Sequence, residues 1–359
     1  MRSRPGAPLA SRLRQCLGVL AGAVLATTLF SQPLGAVDAS APAVDLAALQ
    51  AQYRRPATIP FPAGNPFSQA KADLGQKLFF DPRLSGAANM SCASCHNPGL
   101  SWGDGLPTGV GANAKRLARR SPSILNLAWA EALMWDGRAE TLEAQATGPI
   151  EEPAEMNQSM STLLVSLGNL PGYRAAFAAA FPGEPISAAT IARAIATFER
   201  TVVSGKAPFD RWIEGDTAAI DDAARRGFIA FNTKGNCAAC HGGWRFTDDS
   251  FHDIGLDSDD PGRGRIVPGV EPLRHAFKTP GLRNIAERGP YMHDGSIKTL
   301  PAVVRHYDGG FRQRPSLSDQ VYKLNLSERD VGDIVAFLKT LSSVDAPVTV
   351  PALPTESID

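Results

Sequence analysis

Two copies of the pentapeptide Cys-x-x-Cys-His, Cys92-Ala-Ser-Cys95-His96 and Cys237-Ala-Ala-Cys240-His241, take four of the chain's five cysteines and constrain its fold more than any other feature. The spacing is the attachment signature of c-type haem. Two thiols add across the two vinyl groups, and the adjacent imidazole is placed to bind the iron from one face. A dithiol redox site or half a zinc site would explain the cysteines alone and give the following histidine no role. The fifth cysteine, Cys16, lies near the N-terminus, so no pair remains for a structural disulfide. The expected cofactors are two covalently bound haems, which would supply much of the core.

The N-terminus reads as an export signal over residues 1–36. Residues 1–15 hold four arginines and no acid, residues 16–30 (CLGVLAGAVLATTLF) are apolar, and small residues follow at Gly35, Ala36 and Ala39. The apolar run is short for a membrane span. Cys16 stands at the start of that run and not after it, so it is not a lipoprotein acceptor and leaves with the signal. Export agrees with covalent haem, which is attached outside the cytoplasmic membrane. Removing four arginines takes the formal charge from +0 to about −4. A mildly acidic surface gives no electrostatic reason to bind nucleic acid or an anionic membrane. The expectation is a periplasmic protein without a membrane anchor after cleavage.

The mature length suggests two domains. Apolar residues recur at three- and four-residue intervals over 70–80, 160–180, 187–203, 217–231 and 327–341, with Ser187 and Ser327 as N-caps. Long Gly/Pro-rich loops separate them, notably 97–113 and 253–272, and no set of alternating strands is visible. This pattern predicts an all-α fold with long loops.

The motifs belong to a larger repeat. Pro122–Leu142 aligns with Pro280–Leu300 at an offset of 158, with identities at Pro122/Pro280, Asn126/Asn284, Ala128/Ala286, Met134/Met292, Asp136/Asp294, Gly137/Gly295, Thr141/Thr299 and Leu142/Leu300. One unit has been doubled into two cytochrome c-like haem domains, expected at 37–205 and 206–359. At the same offset Trp135 faces His293 and Pro149 faces Tyr307. Proline offers iron no side-chain ligand and tyrosine does. One iron is therefore expected to keep an open face and the other to be capped.

From Leu74 to Leu341 the chain resembles the bacterial dihaem cytochrome c peroxidases, most closely their MauG-like branch. The resemblance is carried by LGQKLFFDPRLS (74–85), both haem motifs, WDGRA (135–139), QATGPIEEPAEM (145–156), TPGLRNI (279–285) and PYMHDGS (290–296). It implies that His96 is the proximal ligand of the reactive haem, with Gln145, Pro149 and Glu155 over its open face. It implies Trp135 as the electron relay between haems, His241 as the second proximal ligand and Tyr307 as its sixth ligand. Classical members also carry a capping histidine after the first motif, and here none occurs between His96 and His241. Two positions depart from the pattern. Arg120 and Arg288 stand where the resemblance implies an Asn and a Thr at an interdomain calcium site, which puts calcium in doubt although backbone carbonyls could still serve it. Gly235 stands where MauG has a Trp near its protein substrate.

The implied activity is a periplasmic peroxidase or oxidase that uses hydrogen peroxide to raise haem iron to a high-valent state. It would then oxidise a small redox protein or a Trp or Tyr of a partner protein. Two alternatives remain: a classical peroxidase served by a small redox donor, and a dihaem electron carrier without enzymatic activity. By its residue type alone Trp135 is a core residue and Glu155 a helix-start acid or solvated charge. His306 and Met292 are alternatives to Tyr307, and His293 reads as structural or propionate-binding.

Overall fold

The computed structural model describes residues 44–345 and 347–355. The export-signal reading of residues 1–36, Cys16 included, falls outside the described residues. The helices are α1 (Leu46–Ala51), α2 (Gln69–Phe80), α3 (Cys92–Cys95), α4 (Leu142–Ala146), α5 (Gly148–Glu151), α6 (Met160–Asn169), α7 (Pro171–Ala180), α8 (Ala188–Thr201), α9 (Pro208–Ile213), α10 (Asp222–Asn232), α11 (Leu300–Arg305) and α12 (Glu328–Lys339). Strands β1 (Phe251–His252) and β2 (Phe277–Lys278) pair antiparallel, with Phe251 opposite Lys278. This ribbon qualifies the all-α expectation, and two residues per strand are too few to show as alternation in a sequence.

Local side chains set the helix ends. The Ser68, Ser187 and Ser327 hydroxyls accept from the amides of Lys71, Thr190 and Asp330 at 3.3, 3.2 and 3.2 Å, and Asp221 accepts from Ala224 at 2.8 Å. Each satisfies an amide that the first helical turn leaves unpaired. Two spans differ from expectation. Residues 160–180 form two helices because Leu170 is extended and Pro171, having no amide hydrogen, opens the next one. The helix expected from 217 begins at Asp222, where Asp221 caps it.

Two cores result. One gathers α2, α6, α7 and α8 around Leu78, Phe79, Ile195 and Phe198. The other gathers α9, α10 and α12 around Phe209, Phe228, Phe231 and Phe337, with Tyr53 inserted. Each depends on a glycine at a helix crossing. A Cβ on Gly75 of α2 would lie 2.0 Å from the Ala194 carbonyl oxygen of α8, and one on Gly227 of α10 would lie 1.9 Å from that of Asp333 in α12. The chain after each crossing is clasped alike. Asn126 and Asn284, both left-handed, accept the amides of Ser204 and Ser343 at 3.0 Å.

The aligned segments also meet each other. The Arg120 amide donates to the His293 carbonyl at 2.7 Å, and the Lys278 amide donates to the Trp135 carbonyl at 2.8 Å. Arg120 and Lys278 are 158 apart, as are Trp135 and His293. Each residue thus makes the contact its counterpart makes, the signature of a local twofold. Trp135 lies at that junction.

Candidate active site

The turn that carries each pentapeptide is short and hydrogen-bonded within itself. The His96 amide donates to the Cys92 carbonyl at 2.9 Å, and the His241 amide to the Cys237 carbonyl at 2.8 Å. One turn therefore aims two thiols and an imidazole into the same space. That space is a cavity of about 820 Å³ lined by both pentapeptides. Its wall includes Met134, Trp135, Gln145, Pro149, Glu155, Met292 and Tyr307, so every site residue expected from the sequence faces one cavity.

The donor set fits haem. Burial lowers the pKa of both His96 and His241, leaving neutral imidazoles, the form that binds metal. His241 Nδ1 meets the Phe246 carbonyl at 2.9 Å, which leaves Nε2 free for iron. His96 Nδ1 is buried without a hydrogen bond of normal geometry, although the Trp102 and Pro122 carbonyls partly offset its burial. All four thiols are unpaired, and burial pushes Cys92 and Cys237 up to about 12. Thiols raised in this way are unlike the low-pKa pair of a dithiol redox site. Cys240, Asp248 and His252 converge within 4.8 Å. This cluster uses an attachment thiol, and its other members form an ion pair of 2.9 Å in which Asp248 lifts His252 to about 10. It is a support beside the second motif, not a separate metal centre.

On the first side, the Thr141 hydroxyl caps α4 at 3.1 Å and so aims Gln145, whose amide nitrogen lies 3.7 Å from Met134 Sδ. Pro149 opens α5. The Glu155 segment is pressed against the cavity by main-chain contacts. The Ala112 amide donates to the Glu155 carbonyl at 2.7 Å, and a Cβ on Gly111 would lie 2.0 Å from the Ala154 carbonyl oxygen. Burial raises the Glu155 pKa above the ordinary glutamate value, against the opposing charge of Arg138. Between the sides, Trp135 Nε1 donates to the Arg120 carbonyl at 2.8 Å, and its ring meets the His293 imidazole edge-on at 6.4 Å. His293 stacks on Phe277 at 3.6 Å and is held down to about 4 by burial.

On the second side, Tyr307 lies in a π-turn, His306–Gly310, directly after α11. Burial, followed by the Cys240 and Cys237 sulfurs, raises its pKa. His306, the alternative ligand, is committed elsewhere: its Nε2 meets the Ile254 carbonyl at 2.8 Å. Met292 remains on the cavity wall.

Three wall residues escaped sequence reasoning. Glu199 of α8 is buried, its Oε2 has no partner, and burial raises it to about 8. Its signal was an acid in a helix that is otherwise buried along that stretch. Arg120 and Arg288 were noted only as departures from a calcium pattern, yet both line the cavity and Arg120 donates to the Arg288 carbonyl.

Comparison with known proteins agrees with this geometry. The family model for di-haem cytochrome c peroxidase matches residues 69–218, and that for cytochrome c matches 224–342. The chain is 50% identical over 350 residues to the methylamine utilization protein MauG of Methylorubrum extorquens, covering 97% of this chain and 99% of that protein. It is 36% identical over 302 residues to cytochrome c551 peroxidase of Pseudomonas aeruginosa, covering 81% and 84%. Among solved structures it is similar to a MauG-like protein associated with microbial copper homeostasis. That match has a TM-score of 0.74 and 33% identity, and covers 80% of this chain and 94% of that one.

Proposed function

The chain belongs to the di-haem cytochrome c peroxidase family, and on that premise we propose how its residues divide the work of two unequal haem sites. It is a MauG-like oxidoreductase of the peroxidase type with two c-type haems. When bound, the haems supply the electrons that reduce peroxide and hold the oxidising equivalents that result.

His96 would hold the first haem. Gln145 donates a hydrogen bond that orients peroxide there, and Glu155 carries a proton from one peroxide oxygen to the other. A carboxylate raised by burial suits a shuttle that must both take and return a proton. Pro149, at the position aligned with Tyr307, offers no side-chain ligand. His241 and Tyr307 would hold the second haem, and an anionic phenolate ligand would favour the oxidised metal. Trp135 is the relay between them. The observation that carries this reading is the asymmetry of one aligned pair: Pro149 and Tyr307 face the same cavity from corresponding positions, and only Tyr307 can bind iron.

The two halves are read as a duplicated unit, divided at 205/206. The paired glycine crossings, the two Asn–Ser clasps and the exchanged bonds at Trp135 and His293 support that reading. The site of action is the periplasm, reached through the signal at 1–36. Among the described residues no helix is long and apolar enough to cross a membrane. The final reductant is a Trp or Tyr of a partner protein or a small redox protein. Higher identity to MauG than to the c551 peroxidase supports the first, and Gly235 withholds support for MauG's own partner.

Electron paramagnetic resonance of the ferric protein tests the assignment. One high-spin and one low-spin haem are expected. Tyr307→Phe should convert only the low-spin signal, and His306→Gln should leave both unchanged. A low-spin signal that survives Tyr307→Phe would remove Tyr307 as ligand.

A further inference from the structure

Arg120 is 9% exposed, and its main chain is fixed on both sides, by the His293 carbonyl and the Trp135 indole. Its guanidinium reaches the Arg288 carbonyl, while that of Arg288 reaches the Gly281 carbonyl. Beyond those bonds both are incomplete. The Nε atoms of Arg120 and Arg288 are buried without a hydrogen-bond partner, and among the described residues neither side chain has a carboxylate at ion-pair distance. The nearby acids are engaged: Glu287 accepts from the Ser101 hydroxyl at 3.1 Å and Asp104 from the Ser121 hydroxyl at 2.7 Å. The neighbouring cations are served quite differently. Arg119 is paired with Asp136 and Asp260 at 2.7 Å, and Lys278, the counterpart of Arg120 in the other half, has Asp249 at 3.3 Å.

Two adjacent guanidinium groups of like charge, withdrawn from water and without an acid, repel one another. Such a site persists when an anion completes it. The guanidinium fork matches a carboxylate in shape and donor spacing. Both arginines line the cavity that holds the haems, and a haem's anionic groups are its two propionate carboxylates.

We propose that Arg120 and Arg288 form a carboxylate pocket for haem propionates at the junction of the two halves, and that this fixed pair of cations takes the place of a divalent metal there. The proposal rests on the two-haem reading. A divalent cation would be repelled by both side chains, so binding should be independent of calcium. Removing either charge should favour ferric over ferrous haem at the site it serves.

The test uses the purified holoprotein. Haem content is counted by pyridine haemochrome, midpoint potentials are read by spectroelectrochemistry, and the melting temperature is read with chelator and with added calcium. Arg120→Gln and Arg288→Gln should keep two haems per chain and lower the potential of at least one haem. Arg120→Lys and Arg288→Lys should recover most of that shift. Chelation and calcium addition should leave the wild-type spectrum and melting temperature unchanged. Unchanged potentials in Gln variants that retain two haems would overturn the pocket alone. So would a chelator effect that calcium reverses, or a wild-type potential that follows added chloride or phosphate. Fewer than two haems in the wild type would overturn the haem reading, and the pocket with it. If the Gln variants fail to fold, the Lys variants and the chelation series still decide.

Discussion

Glu155 and Glu199 stand on the wall of one cavity, and their surroundings give them different chemistry. Glu155 is half-buried, and burial raises its pKa while the opposing charge of Arg138 holds that rise back. Glu199 is buried beside Cys92, lifted to about 8, and neutral at pH 7. Only the first suits a shuttle in reach of substrate. Glu155→Gln should therefore slow the reaction with hydrogen peroxide by about 10²–10⁴, the usual worth of a positioned acid–base group, as read by stopped-flow. In the wild type that rate should fall with decreasing pH as the carboxylate is protonated, with the acid limb above the ordinary glutamate range. Equal rates in the two proteins would end the role. Gln145, Pro149, Glu155 and Tyr307 were singled out in the sequence by resemblance to the family's motifs, Pro149 and Tyr307 also by the constant offset, and all four line one cavity. Glu199 was not, since its importance comes from what folds over it.

Helices α2 and α10 cross α8 and α12 at glycines, where nothing larger fits. Gly75→Ala or Gly227→Ala drives a methyl into a carbonyl oxygen about 2 Å away. The helices must separate, and the aromatic packing of Phe79 with Phe198, or Phe231 with Phe337, opens with them. Each substitution should destabilise the protein by about 1–3 kcal/mol, the usual cost of overpacking. Urea unfolding of the holoprotein measures this, and an unchanged midpoint would show that the crossings have slack. Element identity and most ends were readable, because caps such as Ser187 and Ser327 act within three residues. The break at Pro171 was written in the sequence and passed over. The β1–β2 ribbon was hidden, since its partners lie 25 or more residues apart and each strand is two residues long.

Across the whole molecule the two halves are tied by charge as well as by main-chain bonds. Arg119 and Asp136 lie in the region matched by the first family model, and Asp260 lies in the second. Burial would raise the Asp260 pKa, but the Arg119 guanidinium and the Gly262 amide outweigh it and hold it at about 2, below the ordinary value of 3.8. A depressed acid contributes stability above its unfolded pKa and loses it as pH falls towards the folded one. Asp260→Asn should cost about 1–3 kcal/mol at pH 7 and flatten the loss of stability that the wild type shows between about pH 4 and pH 2. Parallel acid dependences in urea titrations of the two proteins would discount the tie. The sequence by itself determined the two haem attachments, the repeat, the helix caps and the proline–tyrosine asymmetry. All of these rest on spacing along the chain or on comparison at a constant offset. Only the tertiary structure decided that Trp135 and His293 meet across a local twofold, that His306 is spent on the Ile254 carbonyl, and that Arg120 and Arg288 share a buried site without an acid. Those facts depend on which distant backbone segments approach and on what is left dry between them, and no local pattern of residues encodes that.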